Sequence, residues 1–470
     1  MRIAIPRRFR RFLIVALPAG LALGTTLFGF SKAGITYTTD GSQADVSAAI
    51  AAAATGDVIL VPAGAFTCGA AGSAVWVNKA VTLQGAGPGA TTIAISGSGP
   101  NWGSGTIQIS AAATVKDFTI NQSGLANTTA FGTGTANGWR ITNIVYNSAA
   151  TAAYFVYAGS YGLIDSCTIN GGGGSDETIF SRGPANSWQT TSSMGTADAV
   201  YIEDCTFNNS GYVCDFNSNA RGVVRFCTIN GPMKVDGHGL ASNTPARGVR
   251  QLEVYGNQWT QTGGYYAEIE IRGGTGMLFD NTSANTQSGW FFLTDYGYEA
   301  QWPNFGNVYQ TPANYPITDQ IGVGQDPKAG ATEPVYVWNN TRAGLPWTRT
   351  VKAVAAGAIT LFGSTFTEND IVRADRDFFW QGANFDGSGG MGRGPKAAML
   401  ATTPSKTGVG WWVTDEGEWN SSHPGTDGQL YSWNGSAWIV KYTPYTYPHP
   451  LRGDLSAVAP SNAIITITVQ

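Results

Sequence analysis

The chain has 470 residues, and only 12% of them are charged, against about 25% in an average soluble domain. With 62 glycines and a remainder rich in Thr, Ser, Asn, Val and Ile, this is the composition of an all-β protein with many turns, and it excludes a helical enzyme. Net charge is -4 and no basic run lies beyond the first dozen residues, which excludes the electrostatic footprint of a nucleic-acid-binding protein.

Residues 1–12, MRIAIPRRFRRF, are strongly basic, and residues 13–30 are uncharged and mostly apolar. Ser31 and Ala33 then occupy the small-residue positions of a cleavage site. This order of segments predicts a signal peptide over residues 1–33. The competing reading is a retained anchor, since the apolar run is just long enough to span a bilayer. The signal-peptide reading gives a secreted or cell-surface protein with no membrane contact after cleavage.

From residue 34 the chain predicts a short alanine-rich helix, Val46 to Ala54, and a strand, Val58 to Val61. The stretch AVWVNKAVTLQGAGPGATTIAI predicts two more strands around a glycine turn. A repeat follows: VKDFTINQ at 115–122, LIDSCTING at 163–171, YIEDCTFNN at 201–209, VVRFCTING at 223–231, QLEVYGNQW at 251–259 and GMLFDNTSA at 276–284. Each copy alternates apolar and polar residues and then turns at an Asn: Asn121, Asn170, Asn208, Asn230, Asn257 or Asn281. Period-two alternation means strands with one buried face. Recurrence at 22–27 residues without intervening helices means coils that bury their inner faces by stacking about 4.8 Å apart. Asn residues at equivalent turns are expected to stack and bond from coil to coil.

Residues 40–96 resemble the N-terminal cap and first coils of right-handed parallel β-helix proteins, the fold of pectate lyases, polygalacturonases and phage tailspikes. The segments RGVVRFCTING, HGLASN, RGVRQLEVYGN, IRGGTGMLFDNT, DQIGVGQD, EPVYVWNNT and YTPYTYPHPL extend the resemblance to residue 451. They resemble secreted bacterial β-helix (pectin-lyase-like) proteins of unassigned activity. The resemblance implies a right-handed parallel β-helix over 34–345, its open end capped by the helix. An irregular β extension follows at 346–395. Residues 396–470 form a Trp-rich β module with a closing strand, AIITITVQ. Around Asn434-Gly435, QLYSW and AWIVKY predict a hairpin. The module's tryptophans are either sugar platforms or its own core. Trp290, Trp302, Trp338 and Trp347 are further candidate stacking surfaces. The insert from Tyr298 to Val335 has no pattern that places it, and Arg452-Gly453-Asp454 is a plain turn.

The five cysteines, Cys68, Cys167, Cys205, Cys214 and Cys227, lack a C-x-x-C pair, which argues against zinc. Three recur at matching positions in the repeat, as small buried residues would. Disulfides or reactive thiols are the alternative.

The candidate chemistry comes from aligning KVDGHG (234–239), EIEIRG (268–273) and FLTDYG (292–297). If Ile269 and Ile271 point inward, their neighbours point outward. Three outward columns result: Lys234, Glu268 and Phe292; Asp236, Glu270 and Thr294; His238, Arg272 and Tyr296. Asp215, Asn217 and Arg182 extend them into earlier coils. Asp236, His238, Glu270 and Arg272 are the candidate catalytic residues; Lys234, Glu268, Tyr296 and Arg182 are the candidate substrate contacts. Paired carboxylates on adjacent strands suit glycoside hydrolysis, with one pKa raised by the other. His238 or Lys234 as base beside Arg272 suits a polysaccharide lyase. Clustered acids also suit calcium, and stacked opposite charges also suit a purely structural ladder. Gly237-His238-Gly239 resembles a polygalacturonase segment, but the Asn-Thr-Asp, Asp-Asp and Arg-Ile-Lys segments of that family are absent, so its activity is not carried over. Two readings stand: an enzyme acting on extracellular polysaccharide through an outward charged groove, and a non-catalytic surface or matrix protein that binds glycans. Neither selects an oligomeric state.

Overall fold

A computed structural model describes residues 34–453, apart from 70–73, 96–104, 123–127, 150–152, 172–177, 209–210, 240–246, 263–266, 287–290, 295–318, 320, 323–332, 347–348, 353–358, 362–363, 367–371 and 423–426. The leader, the closing strand AIITITVQ, Trp290, Trp302, Trp347 and Tyr296 lie outside the described residues. So does most of the Tyr298–Val335 insert. Among the described residues, no helix is long and apolar enough to cross a membrane.

The chain winds into a right-handed parallel β-helix. One coil shows the unit: Gly162–Asp165 on a first face, Thr168–Gly171 on a second, Ile179–Ser181 on a third. The next coil repeats it with Val200–Glu203, Thr206–Asn208 and Gly211–Phe216. Each strand pairs in parallel with its counterpart one coil away. The interior is one continuous apolar core running from Ile59 to Phe378. Parallel pairing continues beyond residue 345: Arg349–Lys352 joins the third face and Phe378–Trp380 the first.

The corner between the first two faces is built the same way in the eight coils from Asp117 to Asn339. One residue adopts positive φ: Asp117, Asn143, Ser166, Asp204, Phe226, Gly256, Asp280 and Asn339, with φ between 50° and 69°. Short polar side chains and glycine tolerate this conformation, which explains the Asp, Asn, Ser and Gly at most of these corners. The residue after each corner is buried: Phe118, Ile144, Cys167, Cys205, Cys227, Asn257, Asn281 and Asn340. The three repeat cysteines therefore fill the slot that Phe118 and Ile144 fill elsewhere. All five cysteines are free and buried, and burial pushes the Cys68 thiol up to about 11.

The six repeat asparagines form two ladders, not the single one expected. Asn121, Asn147, Asn170, Asn208 and Asn230 form a partly exposed ladder on the second face, each amide bonding the previous one at 2.7–2.9 Å. Asn257, Asn281 and Asn340 form a buried ladder in the corner slot, linked at 3.0 and 2.9 Å. Sequence alignment cannot separate them because the corner slot and the ladder position lie only three residues apart, as Cys227 and Asn230 show.

The helix spans Gln43–Ala52, starting three residues earlier than expected because Ser42 caps it by accepting from the Asp45 N–H. Val46, Ala49 and Ile50 seat it on the first coil's core, covering an end that otherwise exposes strand edges. The glycine-turn stretch gives three strands, not two: Val75–Val77, Thr82–Gln84 and Thr91–Ile95.

The C-terminal module is a four-stranded sheet. Its hairpin pairs Gln429–Trp433 with Trp438–Tyr442, and Asn434 ties the turn by accepting from the Ser436 and Ala437 N–H groups at 2.9 and 2.8 Å. The module's Trp412 and Trp419 pack against Tyr255, Phe279 and Trp338 on the outside of the first face. Phe279 stacks on Trp338 at 4.3 Å. These tryptophans are core, which settles the choice between platform and packing at Trp338, Trp412 and Trp419.

Candidate functional site

The third face carries the residues singled out from the sequence. Val235, Ile269 and Ile271 enter the core, so Asp236 and Glu270 leave from the outer side of the pleat. The outer column along this face reads Trp76, Gln108, Gly132, Tyr157, Phe180, Asp215, Asp236, Glu270, each paired with the next. Asp236 stands opposite Glu270, as expected. Glu270 then faces Phe292 and not Thr294. The expected columns of Lys234, Glu268 and Phe292, and of Asp236, Glu270 and Thr294, are therefore corrected by a two-residue slip. A slip of two keeps every side chain on its own face, so periodicity cannot detect it.

The column does not open as a charged groove. Lys234 is 1% exposed, and Asp236 and Glu270 are 0% exposed. Buried charges persist only when paired, and these are. Lys234 bonds Glu270 and lies 3.6 Å from Asp236. Arg272 bonds Asp236 at 2.5 Å and lies 3.9 Å from Glu270. Each cation thus bridges both acids. Glu268 does not join them: its carboxylate accepts from Asn285 at 2.8 Å and Ser283 at 3.2 Å, at the next corner.

His238 continues the strand ladder, its N–H bonding Phe216 O at 2.9 Å while its own C=O accepts from Val249 N–H at 2.7 Å. It is therefore the last ladder residue of this face. Its Nδ1 lies 2.8 Å from Gly239 O; a carbonyl only accepts, so that contact requires Nδ1–H. Arg182, Asn217, His238 and Arg272 follow one another in successive coils through backbone bonds of 2.8–2.9 Å. Arg182 is exposed and lies over the Phe180 and Tyr157 rings, 5.3 and 5.6 Å from their centroids.

Asp215 sets the electrostatics of the site. Burial, reinforced by the Asp236 charge, pushes its carboxyl up to about 7. Burial also opposes ionisation of Asp236, but Arg272, Lys234 and His238 outweigh it and hold that carboxyl below the usual range. Asp215 Oδ1 is buried with no hydrogen-bond partner among the described residues; Oδ2 accepts from Asn217 at 3.4 Å. At neutral pH Asp215 is thus poised between its two forms beside an ionised Asp236, a split that general acid–base chemistry can use. The calcium reading finds no support here: among the described residues no three His, Cys, Asp or Glu side chains converge on a metal position.

The sequence left the aromatic part of this face unread. Tyr154, Tyr157 and Phe180 form a separate cluster, with Tyr157 stacked on Phe180 at 5.0 Å. The signal was present as Tyr157 and Phe180, one coil apart at the register of Asp215.

No protein-family model matches the chain, and no curated protein matches it. Among solved structures, the chain is similar to alginate lyase from Paenibacillus sp. str. FPU-7, at 12% identity over 55% of this chain and 98% of that one, with a TM-score of 0.36. It is also similar to a pectin methylesterase from Erwinia chrysanthemi, at 12% identity over 68% of this chain and 93% of that one, with a TM-score of 0.32. A GH87 alpha-1,3-glucanase catalytic domain in complex with nigerose matches at 13% identity over 75% and 68%, with a TM-score of 0.32. Likeness at this level says nothing about what this chain does.

Proposed function

We propose that the protein is an exported glycan-active β-helix that hydrolyses a polysaccharide on its third face. The observation that carries this reading is the split pair, Asp215 raised to about 7 beside a depressed Asp236. Asp215, part-protonated at neutral pH, would give its proton to the leaving glycosidic oxygen. Asp236, ionised, would attack the sugar carbon as that bond breaks and then yield it to water, whose proton passes to Asp215; substrate must displace Arg272 to reach Asp236, which is fully buried. Adjacent strands lie about 4.8 Å apart, close to the ~5–5.5 Å carboxyl separation of retaining glycosidases. Tyr157, Phe180 and Arg182, one and two coils away, would hold neighbouring sugar units. A lyase is less well supported, because Lys234 and Arg272 already neutralise Asp236 and Glu270 and are not left to neutralise a uronate. The basic and then apolar leader supports export to the medium or the cell surface.

The burial of Lys234, Asp236 and Glu270 favours a second reading, in which the charges only brace the coils and the aromatic platform binds glycan without cutting it. A polysaccharide panel on the leader-free protein separates the two. The hydrolase reading expects new reducing ends without the ultraviolet absorbance of unsaturated uronates. Activity is lost in Asp215→Asn and Asp236→Asn, and binding is retained in both. Absence of turnover on every substrate, with binding that disappears in Phe180→Ala, would replace it with the binding reading. An absorbance gain dependent on His238 would make the enzyme a lyase.

A further inference from the structure

A second concave site lies at the seam between the coils and the C-terminal module. It is a cleft of about 410 Å³, within the size range of small-molecule pockets. The coils supply Phe226, Phe279 and Asp280, and the module supplies Arg393, Trp412, Trp419 and Asp427. From these residues we infer that the cleft binds an uncharged sugar unit, such as the end of a neutral oligosaccharide. This site shares no residue with the third face and does not depend on the reading of that face.

Three features define the occupant. The apolar wall of the cleft is the half-buried Phe226 ring, which can take the apolar face of a pyranose ring, while Trp419 and Trp412 pack behind it as core. The rim carries hydrogen-bonding groups with open capacity. Asp427 lines the cleft, and its Oδ1 accepts from the Trp419 and Asn420 N–H groups at 3.1 and 2.9 Å. Asp280 Oδ1 accepts from Asn339 at 2.5 Å, while Arg393 is exposed and makes no ion pair among the described residues. Two carboxylates against one guanidinium disfavour a uronate and suit hydroxyl groups. The third feature is Trp419 itself: it is 5% exposed, and its indole N–H has no acceptor among the described residues. A buried donor of this kind is normally satisfied, and Trp419 lines the cleft, so a ligand hydroxyl that shifts the ring would satisfy it.

The test uses the leader-free full chain, with calorimetry and tryptophan emission as readouts and with neutral gluco-oligosaccharides and oligogalacturonates as probes. Arg393→Ala removes a rim donor, and Thr414→Arg, also in the cleft lining, fills the space. Both positions are at least partly exposed, and circular dichroism checks that each variant folds. The expected result is saturable binding of the neutral sugar with a shift in tryptophan emission. Loss of a charged hydrogen bond should weaken it about tenfold or more in Arg393→Ala, and Thr414→Arg should abolish it. Phe180→Ala on the third face should leave it unchanged. Absence of saturable binding, binding that survives both cleft variants, or preference for the oligogalacturonate would each overturn the inference.

Discussion

At the scale of single residues, Asp215 gives the sharpest expectation. In the unfolded chain its carboxyl ionises near ~4, whereas in the fold it holds its proton up to about 7. The folded state therefore binds the extra proton between these values, and stability falls as pH rises. The contribution of this group is complete below the unfolded value and is lost through about pH 7. Asp215→Asn should flatten the dependence of urea midpoint on pH across this window and raise the midpoint above it. An unchanged pH profile would show that Asp215 titrates normally. Lys234 is the converse case. Lys234→Met leaves Glu270 without its bonded cation, and breaking a buried pair from one side costs about 3–5 kcal/mol. Adding Glu270→Leu should recover most of that in urea unfolding. The placement of Asp236 against Glu270 could be read from sequence, because Ile269 and Ile271 fix the pleat. The burial of these acids could not, since alternation tells inside from outside but not outside from covered.

At the scale of elements, the corners and ladders separate positions that look alike in sequence. Asn281 donates to Val254 O at 2.9 Å and to Asn340, and accepts from Asn257, all in the buried slot. Asn281→Ala should cost about 1–3 kcal/mol, because it strands buried partners. Asn208→Ala breaks similar bonds on an exposed face, where water replaces them, and should cost well under ~1 kcal/mol. Chemical denaturation of the two variants compares them directly; equal costs would mean that the two ladders are energetically alike. The repeat strands, the helix and the Asn434-Gly435 hairpin were legible because each has a local pattern. The slip between Glu270 and Phe292 was not, since register across a loop depends on packing that no local pattern encodes.

At the scale of the whole molecule, the last described residues hold the middle coils together. Arg225 donates to Glu203 at 2.6 Å and to the carbonyls of Tyr445 and Thr446 at 2.7 and 3.0 Å. Tyr442 donates to Glu253 at 2.6 Å, and Tyr447 to both oxygens of Asp204 at 2.8 Å. Arg452 pairs with Glu203 at 2.6 Å and Asp204 at 2.6 Å. A chain ending at residue 441 should therefore unfold at a clearly lower temperature in calorimetry, with the loss concentrated in the coils of Asp165, Glu203 and Arg225. An unchanged midpoint would show that the tail is dispensable. The solenoid was legible from its repeat; this strap was not, because YTPYTYPHPL has no periodicity and its partners lie far away in sequence. That distance has a temporal consequence. Tyr442 and Glu253 are 189 residues apart, and His449 and Glu203 are 246 apart. A chain that emerges from its N-terminus first must stack its middle coils while Glu203, Arg225 and Glu253 still await their partners, and contacts of such range form slowly. Completion of the coil stack is thus timed by the arrival of the C-terminus, so a chain cut short in transit would leave the hydrogen bonds of Asp204, Arg225 and Glu253 to the tail unmade and be open to proteolysis.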